Sequence, residues 1–178
     1  MTPPPARSES FGQSWSPTLI DRLGIWLSAR KIKGCLGTME GKALADLGCG
    51  FHATFSRSFL DRVESLTLVD LAISPDVAAL PKVSTIHGRL PDDLEKLPDG
   101  SFDGIIFNNV LEHLDEPLDA LTQIYRMLKF GGTVFVNVPS WRGKVFWNFL
   151  PTGLGLVRPK KWTITRCITT LKTFGPCS

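Results

Sequence analysis

Beyond Asp119 the chain has no acidic residue: residues 120–178 carry 9 Lys/Arg and no Asp/Glu, whereas residues 1–119 carry 11 Lys/Arg against 17 Asp/Glu. Opposite signs in two halves can mark a nucleic-acid or anionic-membrane surface, or a tail whose sequence is not native to the fold. Cysteine and histidine are scarce. Cys35, Cys49, Cys167 and Cys177 form no CxxC pair, and His52, His87 and His113 lie far apart. Zinc-ligand spacing is therefore missing, and a reducing cytoplasm is the expected compartment. The opening MTPPPARSES lacks the apolar segment after a basic start that a secretory signal needs. Long apolar runs are also missing. The stretch Val145 to Val157 is short and broken by Pro151, Gly153 and Gly155, so it can lie on a membrane surface at most and no transmembrane segment is expected. No internal repeat is visible.

What is present suits one globular domain: 178 residues with 43% apolar content are enough for a single substantial core. Residues 1–17, rich in Pro and Ser, read as a disordered lead-in. Leu19, Ile20, Leu23, Trp26 and Leu27 recur at helical spacing, which predicts an amphipathic helix from Pro17 to about Lys33 that caps a sheet. Near-continuous apolar runs predict strands at Ala43–Leu47, Ser65–Val69, Val83–His87, Phe102–Asn108 and Thr133–Val138. Helices are expected near Ala53–Val63 and Pro117–Phe130, the latter started by Pro117 and stopped by Gly131-Gly132. The alternation implies an α/β fold with a doubly wound, mostly parallel sheet, whose ligand site lies at the carboxyl ends of the strands where their order reverses. The domain is expected over 18–157, followed by a basic tail at 158–178.

Chemistry concentrates first in Lys42-Ala-Leu-Ala-Asp-Leu-Gly-Cys-Gly-Phe-His-Ala53, an apolar strand running into Gly48-Cys49-Gly50. Glycines there let backbone approach a ligand, and a following helix N-terminus would offer free N–H groups. An ordinary strand-to-helix turn uses the same residues. Asp46, two residues before the first glycine, can hold an ammonium group directly or through water. Asp70 ends the next strand and can accept from both hydroxyls of a ribose, or serve only as a helix cap. Together they point to an adenosine-containing ligand. They do not choose between cofactors, because Gly48 to Ala53 also fits the Gly-x-Gly-x-x-Gly/Ala pattern of dinucleotide binders.

Two later segments bear on the choice. Leu97-Pro-Asp-Gly-Ser-Phe-Asp-Gly-Ile-Ile-Phe-Asn-Asn-Val-Leu-Glu-His-Leu114 and Leu128-Lys-Phe-Gly-Gly-Thr-Val-Phe-Val-Asn-Val-Pro139, together with the two above, resemble in order the motifs of class I S-adenosylmethionine-dependent methyltransferases of the type 11 kind. The resemblance implies S-adenosylmethionine as cofactor, S-adenosylhomocysteine as product, and methyl transfer to O, N or C of a small-molecule or lipid-like acceptor. It implies that Asp46, Gly48, Cys49 and Gly50 surround the methionine part, that Asp70 and Leu71 meet ribose and adenine, and that Asn108, Asn109 and Val110 lie against the cofactor. His113 becomes the candidate base or substrate-side contact, or else a helix-start residue oriented by Asn109 or Asp115.

Two departures stand out. His52 occupies the place of a frequent third glycine, and His87-Gly-Arg-Leu-Pro91 lacks the acid that often accepts from the adenine amino group. Arg89 has no acceptor. Backbone groups of Arg89 and Leu90 are the expected substitutes, with Asp92 or Asp93 behind them. Trp15, Trp26, Trp141, Phe146 and Trp147 are candidates for an acceptor pocket, although aromatics more often fill core.

The family continues past its fifth strand with a helix and a final antiparallel pair, for which this chain leaves little length. Lys161 onward shows no helical period. Codons permitted for residues 160–175, read two bases along, spell an acidic stretch with a Asp-Asp-His-Lys core like that of relatives, so a frameshift near Pro159 is the working hypothesis for the tail. The sheet is then expected to lack its last strands and to expose an unpaired edge prone to self-association. A basic tail of that origin is no sign of nucleic-acid binding, and none is expected. Three other readings stand beside the methyltransferase: a non-catalytic cofactor-binding or interaction module, a nicotinamide-dependent oxidoreductase resting on Gly48, Gly50, Ala53 and Asp70, and a nucleic-acid binder resting on the tail.

Overall fold

Apolar runs of five to seven residues, bounded by glycine, proline and charge, form strands where the sequence places them. In the computed structural model, which describes residues 9–14, 18–139 and the backbone of 163–169, these are β1 (Ala43–Leu47), β2 (Ser65–Asp70), β3 (Val83–His87), β4 (Phe102–Asn108) and β5 (Leu128–Pro139), followed by β6 (Thr163–Thr169). The sheet order is β3-β2-β1-β4-β5-β6, with β1 to β5 parallel and β6 antiparallel. Leu44 pairs with Leu66 on one side and Gly104 on the other, so the order reverses between β1 and β4. A crevice forms at the carboxyl ends of strands at such a reversal because the connections leave in opposite directions.

Side chains alternate across this sheet and both faces are covered. Leu44, Leu66, Leu68, Ile106 and Phe135 face one core, with Ile32 and Leu36 of α1 (Leu19–Leu36). Ala45, Leu47, Val69, Ile105, Phe107 and Val134 face the other, with Ala120, Ile124 and Met127 of α3 (Pro117–Met127) and with Leu94. Between them α2 is a single turn, Pro75–Ala78. Burying each of the larger side chains contributes about 1.5–3 kcal/mol, so the two-sided core is the main source of stability. Gly104 has no side chain because α1 lies close: a Cβ there would sit 2.7 Å from Leu44 Cδ2 and 3.2 Å from Leu36 Cδ2.

Four expectations are corrected. The helix expected over Ala53–Val63 is only a 3-10 turn, Ser56–Phe59. Ala53 has φ of 44°, and the hydroxyls of Ser56 and Ser58 donate to the carbonyls of Ala53 and Phe55 at 3.5 and 2.6 Å, competing with helical bonds. Helix α3 stops at Met127 rather than Phe130, because Leu128 is already extended and pairs with Phe102. Thr133 next pairs with Gly104, so residues 129–132 bulge out, and Lys129 Nζ reaches Asp103 Oδ2 at 2.7 Å.

The predicted apolar stripe of α1 does not cap the sheet as a whole. Leu19, Leu23, Trp26 and Leu27 are exposed, Arg30 stacks over Trp26 at 5.1 Å, and the last turns carry the packing. Finally, β5 is not an open edge. Thr163 to Thr169, rich in β-branched residues, pairs along it from Thr133↔Thr169 to Pro139↔Thr163, so β3 and β6 are the outer strands. Trp15, Trp141, Phe146, Trp147, the Val145 to Val157 stretch and the proposed frame change near Pro159 lie outside the described residues, as does most of the lead-in. Among the described residues no helix is long and apolar enough to cross a membrane.

Candidate functional site

A cavity of about 320 Å³ opens at the carboxyl ends of β1, β2 and β4, the reversal point of the sheet. Its lining includes Gly48, Cys49, Gly50, Asp70, Leu71, Arg89, Leu90, Asn108, Asn109, Val110 and His113. Asp46 is absent from the lining and is 2% exposed. The sequence reading missed Glu9, Phe11, Phe55, Leu114 and Glu116 as lining residues.

The glycine loop owes its composition to packing. Gly48 and Gly50 have φ of 77° and 75°, conformations that side chains disfavour. The space a Cβ would take is occupied at Gly48 by Val110 Cγ2, 2.4 Å away, and at Gly50 by the Phe11 carbonyl, 3.0 Å away. The loop's N–H groups are also committed. Those of Gly48 and Cys49 donate to Val69 O at 2.7 and 3.3 Å, that of Gly50 to Asp70 Oδ2 at 2.7 Å, and that of Phe51 to Phe11 O at 2.9 Å. With a short 3-10 turn in place of a helix, the loop offers no N-terminal dipole or set of free donors. The expected anion-binding helix start is not built here.

Asp70 organises the adjoining corner. Its Oδ1 accepts from Leu71 N at 2.8 Å and from the Ser10 hydroxyl, which itself accepts from Ala72 N at 2.7 Å. Residues 9–14, expected as part of a disordered lead-in, thus carry defined contacts over the loop. Nothing in the sequence signals this, since Ser10 and Phe11 sit in a Pro/Ser-rich stretch without periodicity. Beneath the loop, Asp46 Oδ2 is the one fully buried side-chain oxygen lacking a partner among the described residues. Burial pushes its carboxyl up to about 7, a hydrogen bond from Ser56 lowers it in part, and the nearby Asp70 charge raises it. Cys49 is buried and free. Burial first, and then the charges of Asp46 and Asp70, push its thiol far up, so it is a neutral packing group and not a nucleophile.

Around Arg89 the backbone is tied to Asp93. Arg89 N donates to Asp93 Oδ2 at 2.6 Å and Arg89 O accepts from Asp93 N at 3.0 Å. Lys96, 2.5 Å away, and the Arg89 N–H hold the Asp93 carboxyl below its usual value. Asp93 is therefore engaged with Arg89 N and Lys96, while Arg89, Leu90 and Asp92 line the cavity.

On the opposite wall, Asn137 of β5 ties the strand ends together. Its Nδ2 donates to Asn108 Oδ1 at 2.8 Å and Asn109 Oδ1 at 3.1 Å, while Asn109 N donates to Asn137 O at 2.8 Å. Asn109 adopts φ of 57°, which asparagine tolerates better than most residues. Asn109 is thus engaged with Asn137. His113 closes the 3-10 turn Leu111–His113, donates its N–H to Val110 O at 2.8 Å, and places Nε2 3.9 Å from Glu112 Oε1.

Charge is the clearest property of the lining. Glu9, Asp70, Asp92, Asp115 and Glu116 supply five carboxylates, and Arg89 the one guanidinium. Such a wall attracts a cationic ligand and repels a pyrophosphate. The dinucleotide reading, already without free N–H groups to cradle phosphates, loses its physical basis.

The sequence model of a family described as methyltransferase domain matches residues 45–136. Among curated proteins, the chain is 28% identical over 102 residues to a probable S-adenosylmethionine-dependent methyltransferase of Mycolicibacterium smegmatis, covering 56% of this chain and 39% of that protein. It is 30% identical over 110 residues to a ubiquinone biosynthesis O-methyltransferase of Xanthomonas oryzae pv. oryzae, covering 56% and 44%. The chain spans less than half the length of these two relatives. Among solved structures, the fold is similar to Burkholderia thailandensis 1,6-didemethyltoxoflavin-N1-methyltransferase, whose structure holds S-adenosylhomocysteine, with TM-score 0.56, 22% identity and coverage of 68% and 54%. It is also similar to an S-adenosylmethionine-dependent methyltransferase of Archaeoglobus fulgidus, with TM-score 0.54, 21% identity and coverage of 76% and 63%.

Proposed function

This chain belongs to the methyltransferase-domain family, and from that premise we propose that its cavity binds S-adenosylmethionine and that the chain passes the methyl group to a small-molecule or lipid-like acceptor at O, N or C. The acidic lining carries the reading, with five carboxylates facing a cavity that a cofactor bearing a sulfonium and an ammonium would enter. The residues present fit that group. Asp70 retains acceptor capacity for a ribose, the orphaned Asp46 Oδ2 suits the ammonium end through water, and Leu71 and Leu90 offer apolar surface for an adenine.

When bound, the cofactor supplies an electrophilic methyl group on sulfur. The protein's share is positioning, which accounts for most of the acceleration in displacements of this type. Asn108 and Asn109, locked by Asn137, fix the wall nearest the strand ends, and Val110 seals the loop at Gly48. His113, which lines the cavity, would take a proton from an acceptor that arrives protonated.

Calorimetric titration of the full chain with S-adenosylhomocysteine and with NAD tests the cofactor. Micromolar binding of the sulfur nucleotide alone is expected, and binding of NAD alone would overturn the reading. An acceptor screen that reads S-adenosylhomocysteine formation then separates an enzyme from a non-catalytic binding module.

A further inference from the structure

The carboxylate that is to receive the ribose is already partly filled by the protein itself. A carboxylate offers about four lone-pair positions. Asp70 commits Oδ1 to Leu71 N at 2.8 Å and to the Ser10 hydroxyl, and Oδ2 to Gly50 N at 2.7 Å. One position remains. A ribose that donates from both of its hydroxyls needs two.

The geometry points to Ser10 as a built-in occupant of the ribose subsite, whose hydroxyl stands in for one ribose hydroxyl and must release Asp70 when the nucleoside enters. This rests on the proposed cofactor reading and adds a residue to it. Leu71 N and Gly50 N cannot be the donors that leave, because both are backbone groups fixed by the end of β2 and by the loop. Ser10 can leave, since one side-chain rotation frees its proton. Its orientation is set from behind: Ala72 N donates to Ser10 Oγ at 2.7 Å, which directs the single hydroxyl proton onto Asp70. Ser10 is 6% exposed, while Asp70 is half-buried and faces the cavity, so the hydroxyl is sheltered on its own side and the carboxylate is open to a ligand on the other. The segment is held beside it by Phe51 N donating to Phe11 O at 2.9 Å, and the missing side chain of Gly50 makes room for that carbonyl. Ser10 keeps Asp70 hydrogen-bonded until a nucleoside enters, and so competes with it.

The test is calorimetric titration of the full chain, of Ser10→Ala, Ser10→Cys and Asp70→Ala, with S-adenosylhomocysteine as the probe, and circular dichroism to verify folding. Removing a competitor that donates to a charged acceptor raises affinity, so Ser10→Ala is expected to bind about fivefold or more tightly than the unaltered chain. Ser10→Cys, a weak donor, is expected to fall between them. Equal or weaker binding by folded Ser10→Ala, alongside clear loss in Asp70→Ala, overturns the Ser10 inference and leaves the cofactor reading standing. If Ser10→Ala does not fold, Ser10→Cys decides by the same sign. An unaltered chain and an Asp70→Ala chain that bind alike, or not at all, overturn both.

Discussion

The two ends of the cavity are built on different principles. At the β1 and β2 end, Asp70 accepts from the backbone of Gly50 and Leu71 and from Ser10, and the space beside the loop's glycines is filled by Val110 and Phe11. At the β4 end, Asn137 of β5 orients the side chains of Asn108 and Asn109, and His113 stands on a short turn beside them. A cofactor shared across a family needs the first kind of construction, which tolerates little change. Side chains of the second kind depend on a neighbour in space. The contrast teaches which end of the site carries chemistry legible from one sequence.

The contrast can be broken or sharpened experimentally, and Asp46 gives the largest expected effect. Its folded-state value, raised from 3.8 to about 7, means that the native state binds the proton more tightly than the unfolded chain does. The associated stability is fully present below about pH 4 and is lost as pH rises through about 7, amounting to roughly 4 kcal/mol at most. Asp46→Asn is expected to flatten this dependence and to be the more stable protein at pH 8, as read by urea unfolding at pH 5 and pH 8. A slope unchanged by the substitution would remove Asp46 as its source. The same logic predicts proton release when a cationic ligand binds near pH 7, seen as a binding enthalpy that varies with the buffer's ionisation heat.

Asp70→Ala removes an acceptor for three donors and is expected to weaken S-adenosylhomocysteine binding about 100-fold, or ~2.7 kcal/mol, by calorimetry. Retained affinity would show that the organised end is scaffold only. Gly48→Ala places a methyl group against Val110 at a disfavoured φ, with an expected loss of about 1–3 kcal/mol in thermal or urea unfolding. Val110→Ala combined with it should recover part of the loss, because the two changes share one space. The smallest effect on binding belongs to His113→Gln, where affinity for S-adenosylhomocysteine is expected to stay within about twofold, consistent with a substrate-side group that matters only in turnover. A large loss of cofactor affinity there would erase the distinction between the two ends.

Much of the fold was open to a sequence reading. Four of the five parallel strands lie within one residue of their expected places, and β5 starts earlier, at Leu128 rather than Thr133. The reason is that a buried parallel strand must be apolar on both faces, and that signal survives without context. The helices fared worse. Ser56 and Ser58 divert backbone bonds over Ala53–Val63, and Leu128 leaves α3 to pair with Phe102. Both outcomes depend on local competition and on a partner strand, which periodicity does not record. The stripe of α1 shows the same gap, since spacing shows that a face is apolar without showing what it meets. Of the site residues, those at strand ends line the cavity. Asp46 does not, because the strand pleat turns it inward. Ser10 and Phe11 come from a segment that carries no motif, and Asn137 lies inside the Leu128–Pro139 motif but has a role that only its contacts with Asn108 and Asn109 reveal.

The sequence by itself determined the strands and the positions of Gly48, Gly50 and Asp70 beside a nucleoside-sized cavity. Each follows from local chemistry, namely apolar runs, conformational freedom at glycine, and charge at strand ends. Only the tertiary structure decided that the loop's N–H groups are already used, that Asp70 is shared with Ser10, that Asn137 locks the opposite wall, and that β6 borders β5. Those facts are pairings between residues distant in the chain. A pairing depends on which groups meet in space, and sequence spacing does not record that.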